Sequence, residues 1–339
     1  MIKRATIDDV AALAGVHKGT VSRALNVATE HQVNAVTVRR IQRAAKQLGY
    51  VPNVMARSLR TNLSMTVGVI VPDLTNPIFP PILRGIESHL VDRGYTALVA
   101  NTDGRESTES VAFESLLARR VDGFIVATGR QDHPFLSEAF ERGTKIVLVN
   151  RGGSDAGYPL VTSDDAQGVS ASVDHLVGLG HRSIVHLAGP ASFSTSSVRR
   201  DAFLAAVARI PGLTHSIVET DAFSVAAGEE AMRELLRSEG ERPTAIVAAN
   251  DLLAVGALRT LRQSGLDCPG DISVIGFNDM PFAEDLNPAL TTVRIMLNQM
   301  GVESARLLLE GISTGVQTPV SLKLPVSLIV RSSTGPAAS

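Results

Sequence analysis

The run HKGTVSRALN at residues 17–26 brings together side chains suited to one kind of chemistry. At 3.6 residues per turn, Lys18, Ser22 and Arg23 share an outward helical face, and Gly19 beside them, lacking a side chain, permits close approach to another surface. Ammonium and guanidinium groups so placed donate hydrogen bonds to phosphate oxygens and to the edges of bases. The charge of the surrounding segment agrees. Residues 1–60 hold ten Lys/Arg against only Asp8, Asp9 and Glu30, although the whole chain carries a net charge of −2. A basic head on an acidic body points to a head that meets a polyanion, a solvated basic helix being the alternative.

Three short helices must position that face. Thr6 can cap the first, with Asp8 and Asp9 favourably placed against the helix dipole, Val10, Leu13 and Ala14 as its buried stripe and Gly15 as its stop. The second runs from about Lys18 to Leu25 and buries Val21, Ala24 and Leu25. The third starts at the cap Asn34, carries the stripe Ile41, Ala44, Ala45 and Leu48, and stops at Gly49. A tight glycine turn between the first two helices describes a helix-turn-helix, whose second helix can enter the DNA major groove. Apolar spacing alone also fits a small structural bundle.

From residue 66 the pattern changes to short apolar runs, TVGVIVPD, TALVAN, VDGFIVAT, KIVLVN, SIVHLAG, TAIVAAN and DISVIGFND, joined by helical segments. Such runs indicate parallel strands buried on both faces, so the body is α/β. Two series of these units, the second starting near Asp164, imply two lobes with a ligand cleft at the strand carboxyl ends. The closing LTTVRI and VSLKLPVSLIVRSS are expected to cross back between the lobes.

With 339 residues, 44% of them hydrophobic and 19% charged, the chain has the material for several packed domains. No run approaches the length needed to span a bilayer and MIKRATIDDV lacks the apolar stretch of a secretory signal, so the cytoplasm is the expected compartment. Cys268, the one cysteine, can form no internal disulfide and has no metal-ligand neighbours. The dinucleotide G-x-G-x-x-G, the P-loop, the G-x-S-x-G elbow and H-E-x-x-H are all missing. Asp164 and Asp165 read as helix-start carboxylates, and His181 and His186 as structural. No catalytic residue, metal or cofactor is expected.

The stretches IDDVAALAGVHKGTVSRALN and RAAKQLGYVPNVMARSLRT resemble the DNA-binding head of the lactose/galactose-repressor family of bacterial transcription regulators. The resemblance rests on A-G-V at 14–16, T-V-S-R at 20–23, Asn26, L-G-Y-x-P-N at 48–53 and A-R-S-L at 56–59, and it continues over nearly the whole chain. It implies a DNA-contacting set of Thr6, His17, Lys18, Gly19, Thr20, Ser22, Arg23, Asn26, Asn53, Ala56 and Leu59. Lys18 and Arg23 would choose bases, Thr20, Ser22 and Asn26 would hold phosphates, and Leu59 would wedge into the minor groove from a helix formed when two subunits meet on DNA. Without the resemblance Leu59 reads as a linker residue. His17 stands where the family usually has Ser, and Val38 where it usually has Arg, which weakens transfer of an operator sequence.

For the body, the resemblance implies a periplasmic-binding-protein-like sensor with an effector, a sugar, between its lobes. The matching pocket positions are Asn76, Phe79, Asn150, Arg199, Phe223, Asn250 and Asp279, amides and charges to bracket hydroxyls and rings to cover an apolar face. Arg199 leaves a sugar phosphate, sugar acid or purine open, and Arg199 and Arg200 also read as ordinary helix residues. The expected organisation is a helix-turn-helix domain at 1–52, a hinge at 53–64, a sensor at 65–332 (first lobe about 65–163 and 295–323, second about 164–294 and 324–332) and a disordered tail at 333–339. The whole reads as a repressor acting as a homodimer on a palindromic operator, with affinity set by the effector. The alternative is a carbohydrate-metabolising enzyme with an appended head.

Overall fold

Thr6 shows how locally the first helix is determined. Its hydroxyl accepts the backbone N–H of Asp9, and the Asp9 carboxylate accepts the Thr6 N–H at 2.8 Å, a reciprocal capping box. In this computed structural model, which describes residues 5–25, 29–50, 63–128, 134–152 and 157–337, helix α1 (Ile7–Ala14) follows that cap. Gly15 ends it in the left-handed region at φ 61°, where a Cβ would be strained. Helix α2 (Lys18–Ala24), a 3-10 turn (Glu30–Gln32) and α3 (Ala35–Leu48) complete the head. Val10, Ala11, Ala14, Val21, Ala24, Val38, Ile41, Ala44 and Ala45 form its core. Leu13 is a correction: it is 48% exposed, and Ala11 takes the inward place because residues 7, 10, 11 and 14 make the stripe that packs on α3. Leu25 and Leu48 are half-buried at the edge of this core. Asn26, Asn53, Ala56 and Leu59 lie outside the described residues.

The chain divides into two compact units, Met1–Ser64 and Met65–Ser339. The second is built on two six-stranded sheets. The first lobe runs β1 (Thr66–Val71), α4 (Phe79–Val91), β2 (Thr96–Asn101), α5 (Glu106–Ala118), β3 (Gly123–Val126), α6 (Pro134–Glu141), β4 (Ile146–Val149) and β5 (Leu160–Ser163). The second runs α7 (Asp165–Gly178), β6 (Ser183–Ala188), α8 (Ser194–Val207), β7 (Thr214–Glu219), α9 (Val225–Arg237), β8 (Ala245–Ala248), α10 (Asp251–Gln263), β9 (Ser273–Asn278) and β10 (Thr291–Arg294). Helix α11 (Leu297–Thr314) and β11 (Ser321–Leu324) then return to the first lobe, and β12 (Ser327–Ile329) ends in the second.

The sheet orders are β11-β5-β4-β3-β1-β2 and β12-β10-β9-β8-β6-β7. Every pairing is parallel except β10 with β12. The chain therefore passes between lobes three times, after β5, after β10 and after β11. The residues of β3, β4, β8 and β9 are buried throughout, because helices cover both faces of each sheet. Helices α4 and α11 pack so closely that a Cβ on Gly85 would lie 2.0 Å from the Asn298 carbonyl oxygen, and one on Gly301 2.0 Å from that of Ile82.

The expected disordered tail at 333–339 is corrected through Ala337. Ser333 is wholly buried and its hydroxyl donates to the Val274 carbonyl, the His175 ring meets Thr334, the His181 ring reaches the Gly335 carbonyl, and the Ala337 N–H donates to that of Leu179. Buried polar partners on the second lobe fix a segment whose composition alone resembles a loose end.

Candidate functional site

The basic head displays its polar residues as helix α2 dictates. His17 is the N-cap, its Nδ1 accepting the Gly19 N–H at 3.2 Å, which occupies the side chain locally. Val21 and Ala24 point into the core, leaving Lys18 and Arg23 exposed and Thr20 and Ser22 half-exposed. Arg23 Nε donates to the Gly19 carbonyl at 3.2 Å, so the side chain lies back along the helix with its terminal nitrogens outward. Lys18 makes a loose exposed contact with Asp8 at 3.8 Å, which an anion can displace at little cost. Thr6 is spoken for by the α1 cap, and Val38, in place of an arginine, is buried.

In the sensor unit, polar residues gather at the carboxyl ends of the strands. Beyond β1, Asn76 is buried and accepts the Ile78 N–H, while Phe79 lies wholly within the apolar core. Phe79 is thus a core residue in this arrangement of the lobes. Beyond β8, Asn250 caps α10 through Leu253 N–H at 2.9 Å, which leaves its amide NH2 uncommitted. Its neighbour Asp251 accepts from Met280 N–H at 2.7 Å and from the Thr292 hydroxyl at 2.5 Å, tying α10 to the ends of β9 and β10. Burial raises the Asp251 carboxyl to about 7.

Two residues of the expected pocket set also make contacts within the protein. Arg199 Nε donates to Asp165 at 2.8 Å, its Nη1 donates to the Ala249 carbonyl at 2.5 Å, and its guanidinium lies 3.8 Å from the Phe277 ring centroid. Asp279 receives Arg294 Nε at 2.6 Å and lies 2.8 Å from Arg331 Nη2, an ion pair not aligned as a hydrogen bond. Asp279 directly follows β9 and Arg199 lies in the second turn of α8; the partners of both are remote in sequence. Beside Asp279, Asn278 ends β9 at φ 115°, is buried, and makes no side-chain hydrogen bond among the described residues. Asn150, the residue after β4, is likewise buried, at φ 65°.

The residue that sequence reasoning missed is Arg151. It stands two residues beyond β4 and reaches from the first lobe to the second, its guanidinium 4.0 Å from the Phe193 ring centroid and 5.3 Å from that of Phe223. The adjacent Gly152 N–H donates to Ser194 Oγ at 3.1 Å across the same junction. Arg151 is 5% exposed, its Nε has no hydrogen-bond partner, and burial lowers its pKa to about 9, aided by the nearby Arg199 charge. A cation two residues beyond a buried strand, at the carboxyl edge of the sheet, is the signal in the sequence.

Two family profiles match the chain: bacterial regulatory proteins of the lacI family over residues 6–53, and a periplasmic binding protein-like domain over residues 173–334. The HTH-type transcriptional regulator MalR of Streptomyces coelicolor is 37% identical over 341 residues, covering 97% of this chain and 96% of its own. The lac repressor dimer bound to operator and the anti-inducer ONPF superimposes with a TM-score of 0.86 at 29% identity, over 98% of this chain and 100% of that one. A LacI family regulator from Enterococcus faecium with bound ribose gives 0.71 at 32% identity, over 80% and 100%. With its helix-turn-helix head, its two parallel-sheet lobes and these full-length likenesses, the chain belongs to the LacI family of DNA-binding transcriptional regulators.

Proposed function

We propose that this regulator is a repressor whose grip on a palindromic operator is set by a small polyhydroxylated effector held between the lobes. The observation that carries the reading is the belt of buried amides at the strand ends of the sensor unit, Asn76, Asn150, Asn250 and Asn278, with Arg151 spanning from one lobe to the other. Amides offer a donor and an acceptor each, the pairing that adjacent hydroxyls require. The ribose bound in the Enterococcus faecium regulator supports a sugar-like ligand. Burial of the belt means that entry requires the lobes to part, so a bound ligand selects one lobe arrangement over another. Regulation then operates by binding equilibria, without turnover.

On the DNA side, Lys18 and Arg23 face the major groove, and residues 53–64 act as the hinge, with Leu59 as a minor-groove wedge. A homodimer reads two half-sites related by two-fold symmetry, as the operator-bound lac repressor dimer does. Such work places the protein in the cytoplasm. No helix among the described residues is long and apolar enough to cross a membrane. In vitro selection from random duplexes tests this: an approximately palindromic site is expected, with Arg23→Ala relaxing base preference at one position per half-site by about 1–3 kcal/mol. Enrichment of no common site would contradict it.

A further inference from the structure

The Arg151 guanidinium is buried between the lobes with no carboxylate partner among the described residues. An unpaired buried cation is costly. The faces of Phe193 and Phe223 offset part of that cost, but they leave Nε unsatisfied. Arg199 shows the contrast, since its charge is matched by Asp165 and its donors by the Ala249 carbonyl.

A second buried polar atom is also without a partner. Ser196 Oγ sits in the first turn of α8, a residue 2% exposed. The N-cap of that helix is Phe193, whose side chain caps nothing, so the positive end of a 14-residue helix is without a side-chain acceptor. These groups lie together. A Cβ on Gly189 would meet the Phe223 ring at 2.3 Å and Ser196 Oγ at 2.7 Å, and Gly152 is bonded to Ser194 at the start of the same helix.

We propose that the cleft ligand carries an anionic group, a carboxylate or a phosphate ester on a small polyol, seated between Arg151 and the first turn of α8 with Ser196 Oγ donating to it. The proposal rests on the reading that the cleft holds the effector. It adds Arg151 to the expected pocket set as the charge-recognising residue. The anion supplies the missing counter-ion to a first-lobe side chain and binds a second-lobe helix terminus, so occupancy draws the lobes together.

Calorimetric and thermal-unfolding titrations of the full chain at fixed ionic strength test it, with D-glucose against D-gluconate and D-glucose 6-phosphate, and D-ribose against D-ribose 5-phosphate. A charged member is expected to bind at least tenfold more tightly than its neutral counterpart. Arg151→Gln should abolish that advantage, Arg151→Lys should keep part of it, and Ser196→Ala should reduce it. Gluconate against the phosphates identifies which anion is recognised. Unliganded Arg151→Gln should unfold at or above the wild-type temperature, because an unpaired buried charge is removed. No charge advantage in any pair, or an advantage preserved in Arg151→Gln, would overturn the proposal. A neutral sugar that binds both proteins equally and alters operator binding would overturn it while leaving effector control standing. Anion binding that depends on Arg151 yet leaves operator binding unchanged would support the site and remove effector control.

Discussion

At the residue scale, neighbouring side chains with similar chemistry have different duties. Asp279 is held by Arg294 and Arg331, whereas Asn278 beside it is buried with its amide free of hydrogen bonds among the described residues. Asp279→Ala should therefore lower stability by about 1–3 kcal/mol through loss of a part-buried ion pair. Asn278→Ala should leave stability nearly unchanged and weaken the effector by roughly tenfold. Denaturant unfolding beside calorimetry separates them; a stable Asp279→Ala protein with lost ligand affinity would reverse the assignment. His186 makes a second residue-level case. It is wholly buried, its Nδ1 bonded to the Val247 carbonyl, and burial lowers its pKa to about 4. Because the folded state resists a proton that the unfolded chain accepts near 6.5, its contribution to stability is present above 6.5 and is lost as the pH falls toward 4. Asp251, raised to about 7, acts in the opposite sense, favouring the fold at low pH and losing that contribution as the pH rises through 7. His186→Gln should accordingly lose less stability than wild type between pH 7 and pH 5, read from urea midpoints. An equal loss in both proteins would exclude His186 as the source.

At the scale of elements, close helix packing is written into glycines. Gly301→Ala would drive a methyl group to 2.0 Å from the Ile82 carbonyl, forcing α11 away from α4. A loss of about 1–3 kcal/mol is expected, seen as a fall of roughly 5 °C in unfolding temperature. An unchanged transition would mean that the two helices can part freely. Much of this architecture was legible in the sequence. The Thr6 cap, the stops at Gly15 and Gly49, and the continuous Val/Ile runs of β1, β3, β4 and β9 depend on neighbours within a few residues. What was not legible depends on distant partners. Strand β7, THSIVE, is an edge strand with exposed and half-buried residues, and β5, LVTS, alternates half-buried with buried residues and ends in two hydroxyls, so neither makes a continuous apolar run. Leu13 and Ala11 fit the helical period equally well until α3 chooses between them. The contacts of Arg199 and Asp279 with Asp165, Ala249 and Arg331 join residues far apart in sequence, and the bare charge of Arg151 emerges only when the lobes are folded together.

At the scale of the molecule, a basic head and an acidic sensor on one chain divide the labour between recognition and control. Seven positive charges in excess over residues 1–60 imply several phosphate contacts per subunit, hence an operator affinity that falls steeply with added salt. Control requires more than the presence of both parts: the ligand must bind the lobe arrangements with different affinity, and that difference must reach the DNA. The most direct measurement is fluorescence anisotropy of the selected palindromic duplex titrated with the full chain at one salt concentration, with and without the saturating cleft ligand, paired with calorimetry of that ligand in the presence and absence of DNA. Coupling of about 1–3 kcal/mol should change operator affinity by roughly 5- to 150-fold, and the ligand affinity must change by the same factor when DNA is present. Operator affinity that is identical with and without bound ligand would contradict effector-controlled DNA binding.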